Sequence, residues 1–180
     1  KSGHSYHNRT HKKRYSKPNL HKIGGMEEEV HRFVTNHVNL NDKSTVILRT
    51  RTKDTITHLS KDLSALVNLK KVNDVRWVNK FFEEVNGHLI DGALFIGVVE
   101  VSEQRKSRIY KKFPKGIASF LYTLDFVLRR VLPKLSFSKG LYFLVTDGRR
   151  RVMSKAEVLG RLVACGFDIV DIKNLNGSLY

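Results

Sequence analysis

MSKAEVLGRLVACGFDIVDIKNLNGSLY, residues 153–180, is the stretch that decides the fold. Ser154 and Glu157 have the spacing of a capping box, in which the Ser side chain takes the N3 amide and the Glu side chain reaches back to the Ser amide. Met153 and Val158 occupy the N′ and N4 positions of a hydrophobic staple. Leu159, Leu162 and Val163 continue one apolar face at helical spacing, and Gly166 is a natural C′ stop. Phe167, Ile169 and Ile172 predict an extended segment. Asn174-Leu175-Asn176-Gly177 then turns the chain into a last strand. Helix, strand, turn, strand is the ending of an α/β domain, so the segments upstream are read for a matching sheet.

Working back from this ending, Met26–Leu40 carries Val30, Phe33, Val34 and Val38 at three- and four-residue spacings and predicts a helix. Thr45–Leu48 is a β-branched run and the first strand. Leu63–Leu69 is a short buried strand, and Asn73-Asp74 reads as a helix start. Val75, Val78, Phe82, Val85 and Leu89 recur at helical spacing, with Trp77 and Phe81 expected to pack beside them. Asp91-Gly92 reads as a turn. The near-continuous apolar run Ala93–Val101 suits a central strand covered on both faces. Ile117, Phe120, Leu121, Leu124, Leu128 and Val131 give one more helical face, ending before Pro133, and Leu141–Val145 is a further apolar run. The fold class is therefore α/β, a small Rossmann-like three-layer sandwich of about five strands with a C-terminal antiparallel pair.

Charge divides the chain further. The net charge is +16 over 180 residues. Residues 1–25 hold seven Lys/Arg and no acid, and residues 102–153 hold thirteen Lys/Arg against three acids, so the rest is close to neutral. The expected organisation is a disordered basic tail at 1–25 and an α/β domain at 26–180 that carries a basic helical insertion at 102–153. Such blocks face nucleic acid, anionic lipid or phosphorylated small molecules. Few aromatics interleave with the basic residues and no nucleic-acid motif is present, which argues against a nucleic-acid-binding module. His4, His7 and His11 lack a cysteine partner or an ordered frame, so no metal site is expected. The one cysteine, Cys165, excludes an internal disulfide and reads as a small buried hydrophobe. No stretch is long and uncharged enough to span a bilayer. Without an initial Met, and stopping within a strand, the chain reads as a piece of a longer protein.

Residues 63–101 resemble the second half of a class I methyltransferase, with Val85–Ile96 similar to its turn before a strand and Ala164-Cys165-Gly166-Phe167 similar to its "aGF" signature. That enzyme needs a glycine-rich loop after the first strand, where the backbone approaches the cofactor. Here the turn is RTRTKDTITHLS (49–60), without glycine. S-adenosylmethionine is therefore not expected as a cofactor, and the domain reads as a degenerate methyltransferase fold. An active S-adenosylmethionine-dependent methyltransferase stays as an alternative.

The strings LVNLKKVNDVRWVNKFFEEVN (66–86), DFVLRRVLPKL (125–135) and LYFLVTDGRRRVMSKAEVLGRLVACGFDIVD (141–171) are together similar to a region found N-terminal to the catalytic domain in bacterial exopolysaccharide and capsule sugar transferases. These enzymes move a sugar 1-phosphate from a nucleotide sugar to undecaprenyl phosphate. The resemblance implies a non-catalytic accessory domain at the inner face of the bacterial inner membrane, with a transferase domain as its C-terminal partner in the parent chain. The transferase motifs are a membrane-embedded helix, a Lys-Phe-Arg-Thr-Met-like segment and an Asp-Glu pair. None occurs here, so no catalytic residue is carried over.

Two sites are expected on the basic insertion. Arg149, Arg150, Arg151 and Ser154 precede a helix N-terminus, where amides and dipole favour an anion such as the phosphate of a nucleotide sugar. The plainer reading is a solvated basic loop. The helix at 117–132, with Tyr122, Arg129 and Arg130, suits an anionic membrane surface. Against that, Asp125 falls inside its apolar stripe, which favours an ordinary core helix. Asn68, Asn73 and Asp74 cluster near the end of the second strand, where the resemblance to a methyltransferase would place substrate-facing groups, and their plainer reading is as capping residues. Glu157, Gly160 and Arg161 read as structural, with Gly160 expected to allow close packing against a neighbour.

Overall fold

A computed structural model describes residues 27–180 apart from 133–134, 136–139, 141, 143, 145, 147 and 148. The basic tail at 1–25 and much of the run at 141–148 lie outside the described residues. The elements run α1 (Glu28–His37), β1 (Thr45–Leu48), α2 (Asp54–Thr57), β2 (Leu63–Lys71), α3 (Val78–Asn86), β3 (Leu89–Val98), α4 (Ser102–Lys112), α5 (Lys115–Phe126), α6 (Lys155–Ala164), β4 (Asn174–Leu175) and β5 (Ser178–Leu179). Gly140, Tyr142, Leu144 and Thr146 are also helical.

Strands β1, β2 and β3 form a parallel sheet in that order, with β2 central. Side chains alternate across β2 because successive Cβ atoms point to opposite faces. Ala65 and Val67 pack with Val30, Phe33 and Val34 of α1. Leu66 packs on the other face with Ile56, Phe81, Phe82, Met153 and Val158, which come from α2, α3 and the start of α6. Helices on both faces of a parallel sheet make the three layers.

Several expectations change. The anticipated sheet of about five strands divides into this three-stranded sheet and a separate antiparallel pair, β4–β5. One isolated antiparallel bridge, Val99 to Leu179, ties the two together. Residues 167–173 form no strand, and β3 is an edge rather than a central strand. Asp91-Gly92 is no turn. It lies inside β3, where Gly92 takes φ +76 and the register slips between the Leu63–Leu89 and Ala65–Leu94 pairs, the signature of a bulge. Trp77 does not pack: it is 59% exposed just before α3, with Arg76 and Lys80 against its ring.

Within 153–180 the Ser154 start of the helix, its Gly166 stop and the final turn match their local reading. Ser154 Oγ accepts the Glu157 amide at 3.2 Å, and Met153 and Val158 are buried in one cluster. The Glu157 carboxylate pairs with Arg161 at 3.1 Å instead of completing the box. At the other end Gly166 takes φ +87, its amide donates to Val163, and the Phe167 amide donates to Leu162. This is a Schellman closure, with Leu162 and Phe167 packed on the same core. Asn176 and Gly177, at φ 49 and 73, make the two-residue turn between β4 and β5. Gly160 has open space around it, so the expected close packing does not exist.

Candidate functional site

Asn73 is the clip that builds the carboxyl edge of the sheet. Its Nδ2 donates to the Glu100 carbonyl at 2.8 Å and the Arg151 carbonyl at 2.9 Å, and its Oδ1 accepts the Glu100 amide at 2.8 Å. The Arg151 amide donates to the Asn73 carbonyl at 2.9 Å. Asn73 is therefore no helix cap. It lies in a 3-10 turn, Val72–Asp74, before α3 begins at Val78. One residue joins the end of β2, the chain after β3 and the loop before α6. Buried Asn68 does the same for the loop after β1, accepting the Thr50 amide and donating to the Thr50 carbonyl.

This clip carries Arg149–Arg151 across the carboxyl ends of the strands, where ligands bind in open α/β sheets. Arg149 and Arg150 are exposed. Arg150 holds φ +54, and its amide donates to Asp74 Oδ1 at 3.2 Å. Arg151 is half-buried. Burial, and then the charge of Arg161, lower the pKa of its guanidinium, while Glu157 partly offsets both. Ser154 Oγ is occupied by its capping bond. The corner is therefore strongly basic, with Arg149 and Arg150 in solvent. Among the described residues no cluster of His, Cys, Asp and Glu has the make-up of a metal site. Cys165 is buried, and its thiol is pushed up by burial and then by the Glu83 charge, which suits a packing role.

The second arrangement lies on α4 and α5. Glu100, buried at the end of the sheet, meets Arg108 at 2.9 Å, Lys71 at 3.6 Å and Arg105 at 3.9 Å. Arg105 spans to Asp125 with two hydrogen bonds of 2.5 and 2.7 Å, and Arg129 adds a third at 2.8 Å. Burial alone raises the Asp125 carboxyl. The hydrogen bonds and charges of Arg105 and Arg129 outweigh it and hold the carboxyl below the usual range. Burial likewise lowers Arg105, but Asp125 and Glu100 together leave it raised.

This network sets the rotation of α5. Asp125, Arg129 and the fully buried Ala118 face inward. The apolar stripe then faces outward: Ile117, Phe120, Leu124 and Leu128 are 55%, 68%, 45% and 44% exposed. Val131, in the π-helical turn Val127–Val131 that prolongs α5, extends the same face. The expectation of a core helix is overturned. Asp125 does not spoil the stripe, because paired carboxylate and guanidinium groups draw that side of the helix onto α4. Tyr122 sits on the inner flank, 6.4 Å from the Tyr110 ring, with Lys106 over both rings. Arg129 is held by Asp125 and also reaches the Arg150 carbonyl at 3.4 Å, which links the two basic regions. Arg130 stacks over Phe126. Lys111, Lys112 and Lys115 surround the exposed turn between α4 and α5.

Sequence reading names Asp125 only as an interruption and misses Glu100 and Arg105. Acids inside otherwise apolar runs are the signal for them, since a buried carboxylate demands a cation. Comparisons with protein-family models, with curated proteins and with solved structures find no match to this chain.

Proposed function

We propose that the chain is an accessory α/β domain that docks on an anionic membrane surface through the outer face of α5, and so positions a bacterial sugar transferase at the inner face of the inner membrane. The observation that carries the reading is the outward apolar stripe of α5, held there by the Arg105–Asp125–Arg129 ion pairs. An exposed apolar patch of this kind on a charged protein marks an interaction surface. Its surroundings select the partner. Residues 102–132 hold eight Lys/Arg against two acids, and a bilayer with anionic headgroups offers both an apolar layer and negative charge. Each basic side chain near such a surface contributes about 1 kcal/mol. Among the described residues no helix is long and apolar enough to cross a membrane, so docking is peripheral. The resemblance of 66–86, 125–135 and 141–171 to the region preceding transferases that act on undecaprenyl phosphate supports the same location. The chemistry belongs to the partner domain, and Arg149 and Arg150 supply an electropositive corner beside it for sugar-nucleotide phosphate.

Vesicle flotation tests the reading. The protein is expected to float with phosphatidylglycerol-containing vesicles, to stay behind with phosphatidylcholine alone, and to lose binding in the F120E/L124E double variant. Equal flotation of variant and parent would remove the stripe from the proposal.

A further inference from the structure

A hollow of about 500 Å³ opens at the carboxyl ends of β2 and β3, and neither Arg149–Arg151 nor the outward stripe of α5 lines it. Three segments make its walls. Lys71, the last residue of β2, and Glu100, just after β3, form one. Gln104, Arg108 and Lys111 recur at spacings of four and three, so one face of α4 forms the second. Arg105, the next residue after Gln104, turns to Asp125 of α5 instead. The β4–β5 turn at Asn176-Gly177 forms the third, and Gln104 Nε2 ties this hairpin to α4 by donating to Asn174 Oδ1 at 3.0 Å.

Glu100 fixes the cations of this hollow. Asn73 pins its backbone amide and carbonyl, each at 2.8 Å. Its buried carboxylate meets Arg108 Nε at 2.9 Å and Lys71 Nζ at 3.6 Å. Both cations are anchored at one point yet stay reachable, with side chains 61% and 41% exposed. Arg108 spends Nε and Nη2 on Glu100, which leaves Nη1 for a ligand. Lys111 and Lys112, both exposed, complete the lining. Four cations against the single carboxylate of Glu100 leave three positive charges in excess, more than a carboxylate ligand would balance. We propose that the hollow is a phosphate site. It takes the phosphate or pyrophosphate group of a small phosphorylated molecule or of a lipid headgroup. Arg108, Lys111 and Lys112 meet the oxygens, Lys71 adds charge, and Glu100 is the positioning residue. Phosphate suits this lining because it offers more than one negative charge and several acceptor oxygens to Arg and Lys donors. The place suits it too, since open α/β sheets take their ligands at the carboxyl ends of the strands. The site stands apart from the docking of α5 and does not rest on it.

Titration of the 180-residue chain with inorganic pyrophosphate, followed by amide NMR at about 0.05 M salt, tests this. The Arg108, Lys111 and Gly177 amides are expected to shift and saturate. K111Q/K112Q changes two exposed side chains and leaves the Glu100 pairs intact, so it keeps the fold and is expected to bind about tenfold more weakly. R108Q is expected to weaken binding to a similar degree. K53Q/K61Q removes the same charge from around α2 and is expected to stay within about twofold of the parent. Equal affinity in K111Q/K112Q and the parent, an equal loss in K53Q/K61Q, or shifts centred on Arg149 and Arg150 would overturn the proposal. Phosphatidylglycerol vesicles then separate the two sources. If K111Q/K112Q loses pyrophosphate but floats like K53Q/K61Q, the ligand is a soluble phosphate. If it loses flotation as well, the ligand is a lipid headgroup.

Discussion

Asp125 shows how one residue reverses the meaning of a pattern. It interrupts an apolar stripe in sequence, yet its pairing with Arg105 and Arg129 is what turns the stripe outward. Replacing Asp125 with Asn should destabilise the protein by about 3 kcal/mol, because Arg105 loses its bidentate partner in a mostly buried position. Thermal or urea unfolding reads this directly. The pH dependence has a definite sign. The folded-state pKa of Asp125 is depressed, so the unfolded chain binds the extra proton as acid is added. Its contribution is fully present above an ordinary aspartate pKa, about 3.9, and is lost as pH falls through the lower folded-state value. Asp125→Asn should flatten that part of the stability–pH curve, while a curve as steep as the parent's would show that other carboxylates set it. Gly160 makes the opposite point. It has open space around it in a regular helix, so Gly160→Ala should stabilise by about 1 kcal/mol in chemical denaturation. Gly166→Ala should destabilise by at least about 1 kcal/mol, since its φ of +87 disfavours a side chain and Asn86 Nδ2 lies 2.7 Å from where the methyl would stand.

Among the elements, α5 and β3 are each left with one side uncovered. An ordinary core helix loses stability when its apolar face is charged. Here Phe120→Glu with Leu124→Glu should lower the free energy of unfolding by no more than about 1 kcal/mol, because Phe120 is mostly and Leu124 nearly half in solvent. The same variant loses vesicle binding under the proposed function, so the pair of measurements separates a docking face from a packing face. Strand β3 carries the apolar run ALFIGV expected of an interior strand, and its bulge at Gly92 lies at the end away from the Leu179 bridge. Local reading finds α1, α3, α5 and α6 through caps and periodicity, and misses α2 and α4. The Schellman ending at Gly166 and the Ser154 cap are visible in the letters because each depends on residues a few positions apart. Asp91-Gly92 reads as a turn in the letters because a bulge and a tight turn use the same positive-φ glycine.

At the scale of the whole molecule, charge and layers act together. The sheet and its two helical layers are close to neutral, and within 26–180 the basic residues gather on α4, at the two ends of α5 and in the loop at 149–151. Binding to anionic vesicles should therefore weaken steeply as salt rises from about 0.05 to 0.5 M, because screening shortens to a few ångströms. Salt-independent flotation would mean that the stripe acts without the charge. The α/β class, the strands β1 and β2, the two ends of the last helix and the location of the basic blocks are legible in the residues alone. Each of these follows from local periodicity, local turn chemistry or composition. The clip of three segments at Asn73, the pairing of Asp125 that turns α5 outward and the place of β3 at the sheet edge emerge only in the folded chain. Those outcomes depend on contacts between residues from 20 to 78 positions apart, and no local pattern encodes which distant cation will satisfy a carboxylate or which strand will lie beside an edge.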